Sequence, residues 1–200
     1  GYPLAYAMAT APSRLRPLLM AFVVLPFWTN FVIRVYAIKV VLSEHGPISA
    51  LVGALGLSAA PDSFLDGPLA VWIGMVTNYL PFMVLPLYVV LEKFDFTLLE
   101  AARDLGASSF QVVTRVLLPL TRRGITTGFI LVFTPALGEF VIPDLLGGAR
   151  VMMIGNLISE QFLKTRDWPF GSALALILIA TVMVSLVIYL RNSDEGTVHG

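Results

Sequence analysis

Cysteine is missing from the 200 residues, histidine occurs twice, and charged side chains make up only 13%. Without cysteine, disulfides, thiolate metal sites and thiol nucleophiles are excluded. His45 and His199 fall in separate loops, so no histidine-rich metal cluster forms and no metal is expected. Thirteen Lys and Arg against thirteen Asp and Glu leave no basic surplus, which argues against a nucleic-acid partner. No Gly-x-x-x-x-Gly-Lys-Ser/Thr stretch occurs, so the chain has no P-loop to cradle ATP phosphates. No Ser/His/Asp constellation stands out, and catalytic residues are not expected. The start, Gly1-Tyr2-Pro3-Leu4-Ala5, has neither an initiator Met nor a basic leader. It reads as the tail of a span that began upstream, in a chain lacking its true N-terminus.

What is present is apolar: 57% of residues are hydrophobic, and the mean hydropathy is +0.84. Soluble domains carry roughly twice as much charge, about 25%, so this is a membrane chain. Four stretches exceed the roughly 18-residue threshold for a span: Pro17 to Leu42, Pro68 to Leu91, Ile125 to Leu146, and Ser172 to Leu190. The expected fold is an all-α, polytopic helical bundle of four full spans plus the end of a fifth. Trp28, Tyr36, Trp72, Tyr88, Trp168 and Tyr189 stand near the span ends, where interfacial belts or packing between helices accounts for them. Pro26, Pro81, Pro86, Pro135 and Pro143 interrupt the spans, each removing a backbone donor. Such breaks survive in lipid only beside neighbouring helices or an aqueous cavity. Connections at 9–16 and 92–124 and the tail hold eight Lys and Arg, against three in 43–67 and 147–171. The positive-inside rule places the first set, and the C-terminus, in the cytoplasm.

The segment 95–123 is the most informative. Thr97 with Glu100 has the spacing of a capping box opening a short helix, and Gly106 suits its left-handed end. Ser108 with Gln111 repeats the box for a second helix, whose expected apolar stripe is Phe110, Val113, Val116, Leu117 and Leu120. Arg115, Arg122 and Arg123 reach toward headgroups or acidic protein surface, and Pro119 bends the chain toward the next span. Ala101 and Ala102 form a small-residue face that lets another surface approach closely. Patterning leaves two readings open, an interfacial hairpin or a docking knob for a soluble partner.

Glu100-Ala101-Ala102, Gly106, Val116, Leu118 and Pro119 resemble the "EAA" loop of binding-protein-dependent ABC importer permeases. That pattern is Glu-Ala-Ala, three residues, Gly, nine residues, Ile, one residue, Leu-Pro, and Val116 in place of Ile is the only departure. Leu25-Pro26-Phe27-Trp28-Thr29-Asn30, Gly138-Glu139-Phe140-Val141-Ile142-Pro143-Asp144-Leu145-Leu146-Gly147-Gly148 and Arg166-Asp167-Trp168-Pro169 resemble the spermidine/putrescine members. The resemblance covers nearly all of residues 1–200. It implies a type I ABC importer permease in the bacterial inner (plasma) membrane, lacking its first span and most of its second. It also implies that residues 95–123 are the cytoplasmic coupling loop, with Glu100, Ala101, Ala102, Gly106 and Pro119 as its ATPase-coupling residues. The implied partners are ABC ATPase subunits holding ATP and Mg, a second, related permease, a periplasmic or extracytoplasmic binding protein, and the lipid bilayer.

A polycationic substrate needs acceptors and π faces that bind weakly enough to release it. Candidates are Trp28, Asn30, Tyr36, Asn78, Tyr79, Glu139 and Asp144. An ionisable group within a span is a functional candidate by default, although interhelical hydrogen bonding explains the neutral ones as well. For Glu139 the structural alternative is pairing with Arg34. Three other readings stay open. One is the same import role for ferric iron, sulfate or opines. Another is an ion-gradient-driven transporter or channel, which would need inverted repeats and an ion site. The last is a scaffold.

Overall fold

The computed structural model describes residues 1–54, 65–148 and 150–194, and among them the regular structure is helical with no strand. The helices are α1 (Tyr2–Thr10), α2 (Arg16–Val24), α3 (Phe31–Leu42), α4 (Pro47–Ala54), α5 (Pro68–Glu92), α6 (Thr97–Asp104), α7 (Ser109–Gln111), α8 (Leu118–Leu120), α9 (Arg122–Leu137), α10 (Val141–Leu146), α11 (Ile154–Glu160) and α12 (Trp168–Asp194). Among the described residues, two helical stretches are long and apolar enough to cross a membrane, Pro68–Glu92 and Trp168–Val187. Two bent pairs, Arg16–Trp28 with Phe31–Ala54 and Ser109–Leu120 with Arg122–Leu137, raise the number to four if each is one span.

Two of the four expected spans are therefore not continuous helices. The stretch 17–42 breaks where Pro26 lies in a 3₁₀ turn (Leu25–Trp28). Asn30 then starts α3 afresh, its Oδ1 accepting from the backbone N–H of Val32 at 2.9 Å and Ile33 at 3.3 Å. The stretch 125–146 breaks after Leu137, and α10 begins only at Val141. In contrast, α5 runs unbroken through both Pro81 and Pro86.

The chain divides into two compact units. The first comprises Gly1–Thr29 and Asn78–Phe133. Its core joins Ala5, Met8 and Ala9 of α1 to Val84, Leu87, Tyr88 and Leu91 of α5, and continues into the loop through Leu99, Val112 and Leu117. Tyr6 and Phe96 pack edge to face at 5.9 Å, and Phe94 and Phe96 at 5.3 Å, extending the same contact surface. Two glycines bring α9 close to α5: a Cβ at Gly124 would stand 3.2 Å from the Pro86 carbonyl oxygen, and one at Gly128 2.6 Å from Met83 Sδ. Arg16 and Glu92 form an ion pair at 3.9 Å. Both side chains are partly solvated, so the pair contributes at most about 1 kcal/mol.

The second unit comprises Asn30–Thr77 and Thr134–Gly200. Its buried residues include Val35 and Leu42 of α3, Ala70 and Val71 of α5, and Ile142 and Leu146 of α10. Helix α10 packs on α3, and Gly74 gives Ile142 and Leu146 room against α5. The Asp66 N–H donates to the Leu146 carbonyl at 3.1 Å, tying the approach to α5 to the end of α10. The Trp168–Val187 part of α12 is almost wholly unburied, with Leu176, Ile177, Ile179 and Val184 exposed. A helix that is apolar all round and yet unburied suits hydrocarbon, not water.

Candidate functional site

The loop 95–123 lies entirely within the first unit. Its opening differs from the expected capping box. The Asp95 carboxylate accepts from Thr97 Oγ1 at 2.7 Å and from the Thr97 N–H at 3.0 Å, while no side chain caps α6 at its N-cap residue, Phe96. A carboxylate two residues upstream out-competes a hydroxyl because its hydrogen bonds are charge-assisted. These bonds, first from the Thr97 hydroxyl and then from its N–H, hold the Asp95 carboxyl below the usual carboxylate range. A lowered folded-state value means that this stabilisation is present above the ordinary carboxylate range and is lost as pH falls through the folded value. Amide protection of α6 in the detergent-solubilised protein, corrected for intrinsic exchange, is expected to drop below about pH 4 and to lose that dependence in Asp95→Ala.

The end of α6 follows the sequence expectation. Gly106 has φ +85°, its N–H donates to the Arg103 carbonyl at 2.8 Å, and the Ala107 N–H donates to that of Ala102 at 3.1 Å. The Ser108/Gln111 box is present: the Ser108 N–H donates to Gln111 Oε1 at 2.8 Å, and the Gln111 N–H to Ser108 Oγ at 3.3 Å. The expected apolar stripe is met only in part. Leu117 is buried and Val116 packs against the core as expected, whereas Phe110 is 77% exposed and Leu120 54%, Val113 is exposed too, and Val112 is buried in their place. The cause is a π-helical stretch, Val112–Leu117, whose wider turn shifts which side chains face the core.

This packing leaves one side of the loop open. Leu99 is buried and Ala102 partly so against the core. Glu100, Ala101, Arg103 and Asp104 are exposed, together with Leu98 and the 89%-exposed Leu105. Of the two small residues, Ala101 faces outward and Ala102 inward. The exposed face is thus a charged helix carrying apolar knobs, seated on a buried base. Burying Leu99 stabilises that base by roughly 1.5–3 kcal/mol. Pro119 stands at the loop's end, exposed, just before Thr121.

The candidate pathway residues fall into both units. In the first, Trp28 is 83% exposed, and Asn78 (2% exposed) and Tyr79 are buried. Tyr79 lies 6.3 Å from Phe82, and Phe82 packs edge to face on Phe27 at 5.0 Å. In the second, Asn30 caps α3, Tyr36 is half exposed on α3, Asp144 is exposed in the first turn of α10, and Glu139 is buried. Glu139 Oε1 accepts from the N–H groups of Val141 at 2.9 Å and Ile142 at 3.1 Å, giving the first turn of α10 its acceptor. Sequence reasoning missed Gly155 and Asn156. Asn156 Nδ2 donates to the Phe140 carbonyl at 2.8 Å, and the backbone of Gly138 and Glu139 lies against Gly155. Only the Gly-Asn pair at a helix start marked them.

The loop thus has two layers, a buried base and an exposed short helix. The chain belongs to the family of binding-protein-dependent transport system inner membrane components, whose profile matches residues 1–195. It is therefore a helical inner-membrane protein of a transport family and not of an enzyme family. Among its relatives, the spermidine/putrescine transport system permease protein PotB of Haemophilus influenzae is 50% identical over 189 residues, 94% of this chain and 65% of the relative. The protein of the same name in Escherichia coli K12 is 47% identical over 193 residues, 96% of this chain and 70% of the relative. The molybdenum transport system permease protein ModB of Azotobacter vinelandii is 33% identical over 161 residues, 80% of this chain and 66% of the relative. The chain thus spans about two thirds of the length of these relatives.

Proposed function

We propose that the chain is the transmembrane subunit of an ATP-driven importer and forms half of the translocation pathway for polyamines. An extracytoplasmic binding protein delivers the solute, and a second, related permease supplies the other half. ATP and Mg²⁺ are held by separate ATPase subunits that dock on the exposed face of α6, on the cytoplasmic side. The observation that carries the substrate class is the 47–50% identity to spermidine/putrescine permeases over nearly the whole chain. The exposed Glu100, Ala101 and Leu105 beside Gly106 support the docking role.

For a polycation, the exposed Trp28 ring and the half-exposed Tyr36 offer π faces, and Asp144 offers an acceptor. Glu139 serves these indirectly by fixing the start of α10, on which Asp144 stands. The molybdenum relative favours one second reading, the same role for another solute, at lower identity.

The test is uptake of labelled putrescine and spermidine in cells without their own importers, expressing the permease with its ATPase, partner permease and binding protein. ATP-dependent uptake competed by unlabelled polyamine and not by molybdate is the expected result. Uptake competed by molybdate alone, or surviving ATP depletion but not an uncoupler, would overturn it.

A further inference from the structure

Loop and span meet at Thr121. The helical segments on either side, Ser109–Leu120 and Arg122–Leu137, are bent by 70°. Thr121 is fully buried at this elbow and bonded on both sides. Its N–H donates to the Leu117 carbonyl at 3.0 Å, and its own carbonyl accepts from the N–H groups of Gly124 at 3.0 Å and Ile125 at 3.2 Å. Its hydroxyl donates to the Leu117 carbonyl at 2.8 Å. A hydroxyl has one proton to give, so the contact at 2.9 Å between Thr121 Oγ1 and Tyr2 Oη is a bond donated by the tyrosine. Tyr2 stands 119 residues away in sequence, on α1, a helix whose Ala5, Met8 and Ala9 are locked in the core of the first unit.

The elbow is the one covalent route by which a displacement of α6 and the π-helical stretch reaches α9 along the chain. That stretch moves with α6, since Leu99, Val112 and Leu117 share one buried cluster. A π turn holds one residue more than an α turn, and its relaxation rotates whatever follows. An elbow that yields absorbs a push, whereas a braced one passes it on. We infer that the Tyr2–Thr121 hydrogen bond braces the coupling elbow, making Tyr2 a positioning residue for energy coupling although it lies outside the loop. This rests on the importer reading proposed above.

The test uses the complete importer in proteoliposomes, with its ATPase, partner permease and binding protein, and putrescine as the probe. The readout is putrescine moved per ATP hydrolysed, beside the hydrolysis rate and the yield of assembled complex. In Tyr2→Phe, which removes only the donor, transport per ATP is expected to fall about fivefold, the change that one net hydrogen bond produces, with hydrolysis and assembly kept. Thr121→Val is expected to fall at least as far, Thr121→Ser to keep the wild-type ratio, and the Tyr2→Phe/Thr121→Val double variant to be no worse than Thr121→Val. Normal coupling in Tyr2→Phe, or additive losses in the double variant, would overturn the brace alone. A wild-type complex that moves putrescine without hydrolysing ATP would overturn the importer reading, and the brace with it.

Discussion

Gly106→Val is expected to leave a permease that inserts and assembles but whose ATP-driven uptake is lower by about tenfold. The reason is conformational and not steric. Gly106 holds φ +85°, where a β-branched residue is strained, yet a Cβ placed there meets nothing within 4 Å. Forcing a non-glycine residue into that region costs about 1–3 kcal/mol, and 1.4 kcal/mol is a factor of ten in population. Valine therefore tips the turn between α6 and α7 toward another conformation and reorients the exposed face on which the ATPase subunit is proposed to dock. Asparagine, which tolerates left-handed backbone far better, should retain most uptake. Glu100→Lys reaches the same outcome by another route, reversing an exposed charge without touching the fold. Uptake and ATP hydrolysis measured together on the assembled complex decide the matter. Normal uptake in Gly106→Val would show that this turn does not carry coupling.

The loop was readable where its signals are local. The Ser108/Gln111 box spans three residues, and Gly106 announces a left-handed end, so both were found in place. Thr97 misled because two acceptors compete for one helix start, and Asp95 binds more strongly than a hydroxyl. The apolar stripe is legible only at Val116 and Leu117, because a 3.6-residue period does not hold across a π-helical stretch. Hydropathy merged α2 with α3, and α9 with α10, because summing apolar residues over a window is blind to a cap. Asn30 and Glu139 both read as pathway polars, and in the structure both accept backbone N–H groups at helix starts. In lipid such acceptors are scarce and unsatisfied N–H groups costly, so a polar residue beside a span break is first a cap. Pro119 marks the bend before the next span, and the structure has it, but the Tyr2 contact that holds this elbow and the packing of Gly155 are not legible, since each depends on a segment distant in sequence.

Gly155 carries the largest expected loss of stability, and alanine should be nearly as damaging there as valine. The buried Gly155 lies where its own Cβ would stand 2.6 Å from the Glu139 carbonyl oxygen, 2.7 Å from that of Gly138 and 2.9 Å from the Glu139 carbonyl carbon. All three are backbone atoms, so no rotamer relieves the clash, and the first carbon added does most of the harm. Relief requires α11 to draw back from residues 138–140. That lengthens the 2.8 Å bond from Asn156 Nδ2 to the Phe140 carbonyl and loosens the turn in which Glu139 supports α10. Overpacking of this kind costs about 1–3 kcal/mol, and one hydrogen bond about 1 kcal/mol more. Asn156→Ala should show only the smaller part. Glu139→Gln, which keeps the accepting oxygen, should be milder than Glu139→Ala. Thermal unfolding of the detergent-solubilised complex gives the order directly: Gly155→Val and Gly155→Ala lowest, then Glu139→Ala, then Asn156→Ala. Wild-type stability in Gly155→Ala would mean that this backbone contact is slack, and that the start of α10 is set by Glu139 without help from α11.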